Sequence, residues 1–75
     1  MKKVYYLTEY REIGCVNNLN RISVLVNDYV NQYMFRVEFI DIVFISEFEI
    51  EYIIFDLDLK ENISYTMNYS TLKVV

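Results

Sequence analysis

Histidine, proline, tryptophan and alanine are missing from this sequence, and glycine and cysteine occur once each. Without histidine there is no imidazole base, no Ser–His or Cys–His nucleophile pair, and no His ligand for zinc. A single glycine excludes the glycine-rich loops that cradle phosphates, both the P-loop and the dinucleotide fingerprint. The lone Cys15 excludes an internal disulfide, so nothing staples the fold. With no His or basic cluster near it in sequence, its thiol has no activator, and it reads as a small core thiol. An unpaired cysteine fits a reducing compartment.

Long hydrophobic runs are missing too. Ile42-Val43-Phe44-Ile45 and Tyr52-Ile53-Ile54-Phe55 fall far short of the roughly 18 residues that cross a bilayer. Glu9, Arg11 and Glu12 interrupt any signal-peptide core behind the basic start at Lys2 and Lys3. The expectation is a soluble protein kept in the cytoplasm, that of the host cell if a phage encodes it, with no membrane partner.

Carboxylates are the remaining acid–base groups. They need a concave site that raises one pKa, and 75 residues seldom enclose one. No catalytic residue and no enzymatic activity is therefore expected. Asp56-x-Asp58 and the Glu pairs are hard oxygen ligands, but no Asp/Asn-Gly loop bends the backbone round an ion, and acids mounted on a strand diverge. Neither a metal nor a cofactor is expected.

What the sequence has in excess is apolar surface. Residues 1–75 make one domain near the lower size limit for a self-supporting core, yet 55% of them are hydrophobic and 17% aromatic. So small a body cannot hide all of this, and some of the eight Tyr and five Phe must be exposed or buried against another chain. A homodimer or a partner-binding surface is implied. The heavily used Ile, Asn, Tyr and Phe have AT-rich codons, which suits many bacteria and their phages.

Charge is polarised along the chain. Residues 37–61 hold Glu38, Asp41, Glu47, Glu49, Glu51, Asp56, Asp58 and Glu61 against Lys60, a net of −7, while the rest carries +3. Direct binding to nucleic acid or to an anionic membrane is disfavoured, and a basic protein surface is the favoured partner.

Residues 3–8 are dense in β-formers and read as a strand. Gly14 is the expected tight bend in the connection that follows. Over residues 18–34, Leu19, Ile22, Leu25, Val26, Tyr29, Val30 and Tyr33 share one side of a helical wheel, with Val24 the misfit and Asn18 the N-cap. The helix formers are mediocre, and a strand over "RISVLV" turning at Asn27-Asp28 is the competing reading. A strand follows from Phe35, a loosely placed turn near Ile45-Ser46-Glu47, a second strand through "EFEIEYIIFDLDL", a turn at Glu61-Asn62, and a third strand in which Ile63, Tyr65, Met67 and Tyr69 alternate with polar residues. Leu72, Val74 and Val75 form a candidate last short strand. The fold class is α+β: a small antiparallel sheet, elements in the order β-α-β-β-β, with one amphipathic helix on its apolar face. An all-β sheet is the alternative.

The acidic stretch slips register at Ile53-Ile54. A one-residue bulge there would put Glu47, Glu49, Glu51, Asp56 and Asp58 on one side; without it the strand swaps faces halfway. With the bulge, the carboxylates repeat every ~6.6 Å, close to the phosphate spacing of one nucleic-acid strand. They then serve either as a wet sheet face that resists aggregation or as a nucleic-acid mimic that occupies a Lys/Arg channel. The five Phe read as core, and the Tyr as core plus interface.

The reading that follows is a non-enzymatic acidic interaction module. Its expected role is a phage or mobile-element inhibitor, of anti-CRISPR or anti-restriction type, that covers a basic nucleic-acid-handling host protein such as a nuclease. Candidate partner-binding residues are Glu38, Asp41, Glu47, Glu49, Glu51, Asp56, Asp58, Tyr52, Tyr65 and Tyr69. The alternative is a structural homo-oligomer whose acidic face is merely solvated.

Overall fold

Periodicity decides the contested segment in favour of a helix. In a computed structural model that describes residues 2–74, Asn18 Oδ1 accepts the Asn20 N–H at 2.9 Å. A one-turn 3-10 helix, Leu19–Arg21, then leads into α1, Ile22–Tyr33. Ile22, Leu25, Val26 and Val30 are buried, while Val24 and the polar Asn27, Asp28, Asn31 and Gln32 are exposed or only part-buried. Burying an aliphatic side chain contributes about 1.5–3 kcal/mol. Poor propensity costs at most about 0.7 kcal/mol per residue, so packing wins. Met34 returns to extended backbone and Arg36, at φ 58°, turns the chain into the sheet.

Five antiparallel strands form a curled sheet, β1 (Lys2–Leu7), β2 (Cys15–Val16), β3 (Val37–Phe44), β4 (Glu49–Asp56) and β5 (Glu61–Val74), in the order β2-β1-β5-β4-β3. The class is α+β, and the expected order β-α-β-β-β stands with the two-residue β2 added. Gly14, at φ 116°, makes the bend before β2. β5 is central and long: Glu61–Asn68 pairs with β4, and Tyr69–Val74 pairs with β1. Its 14 residues, at ~3.3 Å each, account for the 46 Å long axis of the molecule. No turn falls at Glu61-Asn62, because the β4–β5 turn closes earlier, at 57–60, and no separate last strand begins at Leu72, because β5 runs unbroken to Val74. Val75 lies outside the described residues.

The sheet has a covered face and an open one. Leu7, Ile50, Tyr52, Ile54 and Tyr69 meet the four buried helix residues in the core, flanked by Tyr5, Val37, Phe39, Ile42, Ile63 and Met67. Alternation then places Glu38, Asp41, Val43, Glu49, Glu51, Ile53 and Phe55 on the open face. The bulge expected at Ile53-Ile54 is absent. β4 pairs with β5 without a break from Glu49 to Asp56, and the register shift lies in β3, between Phe39 and Asp41. β4 is therefore read straight through, apolar residues Ile53 and Phe55 following Glu49 and Glu51 on the open side. A bulge in a central strand would disturb two ladders, whereas in the edge strand β3 it disturbs one.

Two packing expectations are corrected. No Phe belongs to the buried core; Phe35 is 86% and Phe48 68% exposed, Phe44 is also exposed, and Phe39 and Phe55 are half-buried. A 12-residue helix is about 18 Å long and cannot roof a sheet of this length, so residues near the β3–β4 turn and before β3 stay outside. Cys15 is exposed rather than a core thiol. β2 is a two-residue edge strand in which Cys15 sits opposite Tyr6, on the open side, and Val16 opposite Tyr5 turns inward.

Candidate interaction face

The open face over β3, β4 and the first half of β5 gathers four of the seven predicted carboxylates. Glu49 and Glu51 alternate on β4, opposite Asn68 and Thr66 of β5. Asp41 and Glu38 stand on β3, opposite Ile53 and Phe55. Val43 on β3 stands beside Glu51, Ile53 and Phe55 on β4 stand beside Asp41 and Glu38, and β5 adds Asn62, Ser64, Thr66 and Asn68. No Lys or Arg occupies an open-face position of these three strand segments. Asp41 also supports the strand itself, because its Oδ1 accepts the Ile42 N–H at 2.8 Å and satisfies the backbone beside the bulge.

The other three predicted acids are placed elsewhere, and the single row of five carboxylates does not exist. Glu47 sits in the β3–β4 turn. Asp56 faces the covered side and its Oδ1 accepts the N–H groups of Asp58 and Leu59 at 2.8 and 2.9 Å, building the β4–β5 turn. Asp58 is held by Arg36, Nε to Oδ1 at 2.7 Å. Of the phosphate-like repeat only the Glu49–Glu51 step remains; what replaces it is a two-dimensional patch in which four acids are interleaved with Val43, Ile53 and Phe55.

The predicted tyrosines lie on the opposite face from this patch. Tyr52 is buried and stacks on the exposed Tyr65, ring centroids 5.6 Å apart. Tyr69 is buried, and its hydroxyl donates to the Ser46 carbonyl at 3.2 Å while its N–H donates to that of Phe48 at 2.9 Å, pinning the β3–β4 turn. Burial pushes the phenols of Tyr52 and Tyr69 above the ordinary range, with the charge of Glu47 adding to the effect on Tyr69. Tyr52 and Tyr69 are packed into the core, and of the three only Tyr65 exposes its ring broadly to solvent.

A second aromatic group escaped the sequence. Tyr10, from the connection after β1, meets Tyr29 and Tyr33 of α1 with centroids 4.5 and 5.5 Å apart, and Tyr29 reaches Tyr52 edge-on at 6.2 Å. Tyr29 donates a long bond, 3.5 Å, to the Tyr10 hydroxyl. That bond, followed by burial, holds the Tyr29 proton far beyond the usual phenol range. Tyr33 donates to Glu12 Oε1 at 2.6 Å, which lowers the Glu12 carboxyl and raises the Tyr33 phenol. The spacing of Tyr29 and Tyr33 on one helix side was visible; Tyr10 sits in a loop whose path no periodicity fixes.

Among the described residues, no three His, Cys, Asp or Glu side chains converge in a way that could hold a metal ion. Among the same residues, no helix is long and apolar enough to cross a membrane. Comparison with protein-family models, curated proteins and solved structures gives no match to this chain.

Proposed function

We propose that the chain is a non-enzymatic interaction module that sets its acidic open face against a basic protein surface. The observation that carries this reading is the joint placement of Glu38, Asp41, Glu49 and Glu51 beside Val43, Ile53 and Phe55 on one face, with no basic residue among the open-face positions of that half of the sheet. A face that combines apolar and charged side chains is of the kind that protein interfaces use. The carboxylates steer the encounter, and burial of Val43, Ile53 and Phe55 slows dissociation. A small acidic body of this kind suits the covering of a nucleic-acid-handling host protein. The test compares proteins retained from host lysate by the wild type and by the double variant Glu38→Lys, Glu51→Lys. A basic protein captured at low salt, released at high salt and lost with the variant is expected. Capture that survives both changes removes the acidic face from the mechanism.

A second reading, self-association, is favoured by one feature. The outer edge of β3 has no partner strand among the described residues, and Ile40, Val43, Phe44 and Ile45 are exposed along and just beyond it. Such an edge pairs readily with another strand. Sedimentation equilibrium of the wild type against Phe44→Asp tests this: a dimer that the substitution dissociates supports it, and a monomer at every concentration excludes it.

A further inference from the structure

Where β1 leaves β5, a notch opens at the sheet edge. Lys2–Leu7 pairs with Tyr69–Val74, the Thr8 N–H donates to the Asn68 carbonyl at 3.0 Å, and there the ladder ends. The notch is a half-enclosed cavity of about 150 Å³ whose lining includes Tyr10, Tyr29, Tyr52 and Met67 together with Glu9 and Glu49, and no Lys or Arg. Neither glutamate has an ion-pair partner among the described residues.

We propose that this notch takes the guanidinium group of an arginine carried on the basic surface of the partner. The proposal rests on the interaction-module reading and names the group that anchors it. A volume near 150 Å³ accommodates a group of benzene's size, which a guanidinium and its neighbouring methylenes match. Aromatic rings present the negative side of their quadrupole to a cation, phenol oxygens accept its N–H bonds, and the two carboxylates supply net charge. An anion would be repelled by the glutamates, and a neutral apolar group would leave them idle. Arginine fits better than lysine because its planar, weakly hydrated head stacks on aromatic faces and loses less on leaving water. The same contact already exists within the chain, where the Arg11 guanidinium lies 4.8 Å from the Tyr6 ring centroid. Glu49 belongs both to the notch and to the acidic strand β4, so the two surfaces meet at this residue.

The test is a ¹H–¹⁵N NMR titration of the whole chain with a short neutral peptide carrying one arginine, beside the same peptide with citrulline and beside methylguanidinium chloride. Saturable shifts at Glu9, Tyr10, Tyr29 and Tyr52 with the arginine peptide, and none with the citrulline peptide, are expected. Glu9→Gln, at an exposed turn, is expected to weaken binding about tenfold, and so is Tyr10→Leu, with the spectrum showing that each variant keeps its fold. Methylguanidinium binding as tightly as the peptide would overturn the assignment to a protein side chain and mark a small-molecule cation site. Saturable shifts confined to Glu38, Asp41 and Glu51 would leave the acidic-face reading standing and overturn the notch. No saturable shift anywhere, together with no salt-sensitive capture from lysate, would overturn both.

Discussion

Arg36 and Asp58 tie the start of β3 to the β4–β5 turn. Their ion pair, 2.7 Å from Nε to Oδ1, bridges the residue before β3 and the β4–β5 turn, and the Leu57 N–H donates to the Arg36 carbonyl beside it at 3.0 Å. Asp58 is therefore an acid in use, unlike Glu38 or Glu51. Both partners are more than half exposed, at 67% and 61%, so solvent screens the pair.

Asp58→Asn is expected to lower stability by no more than about 1 kcal/mol and to leave partner capture unchanged. Urea denaturation and the lysate comparison check the two halves of the statement. Loss of capture would return Asp58 to the interaction face.

The β4–β5 turn is built by Asp56, whose Oδ1 accepts two backbone N–H groups, and by Lys60 at φ 55°. Asp56→Ala should destabilise the chain by about 1–2 kcal/mol, and Asp56→Asn by less, because the amide oxygen still accepts. Lys60→Gly should gain up to about 1 kcal/mol, since a non-glycine residue is strained in a left-handed backbone. Midpoints of chemical denaturation order the three variants.

pH acts through the tyrosines and Glu12. Glu12 is depressed by the Tyr33 hydrogen bond, so its contribution is present above its unfolded value and fades as pH falls through the folded one. Tyr29, Tyr33, Tyr52 and Tyr69 are raised; their contribution is complete below the unfolded value of about 10 and is lost only as pH rises through the folded values. Tyrosinate absorbance should therefore show late-titrating phenols whose ionisation coincides with alkaline unfolding. Tyr29→Phe should remove one of them. Ionisation of all eight tyrosines in a single step near the ordinary value, with the fold intact, would contradict the packing.

Adjacent residues of β4 test the straight register. Ile54 is buried and Ile53 half-buried on the other side, so Ile54→Ala should cost about 2–5 kcal/mol and Ile53→Ala distinctly less. A bulge at 53-54 would bring their costs together.

Elements were legible in the sequence where periodicity was long, and faces were legible where neighbours could be inferred. The spacing Ile22, Leu25, Val26, Val30 marked the helix despite its Asn and Val content, and the alternation from Ile63 to Tyr69 marked β5. The sequence could not locate the bulge. Restoring polarity at Ile53-Ile54 looked economical along one strand, but β4 is bonded on both edges and the irregularity moved to β3. Nor could the pattern show that a short helix leaves Phe35 and Phe48 unroofed, that Asp56 and Asp58 serve a turn, or that Tyr10 folds back onto Tyr29. Each of these depends on a contact between residues distant in the chain.

β5 is made after every other strand, yet it stands in the middle of the sheet. Without residues 61–74, the β1–β2 pair and the β3–β4 hairpin have no strand to join them. Order of synthesis thus runs against order of assembly. Closing β1 onto β5 brings together residues at opposite ends of the described chain, a slow kind of contact to form. The acidic residues along β3 and β4 give such separated pieces like charge, which opposes their association.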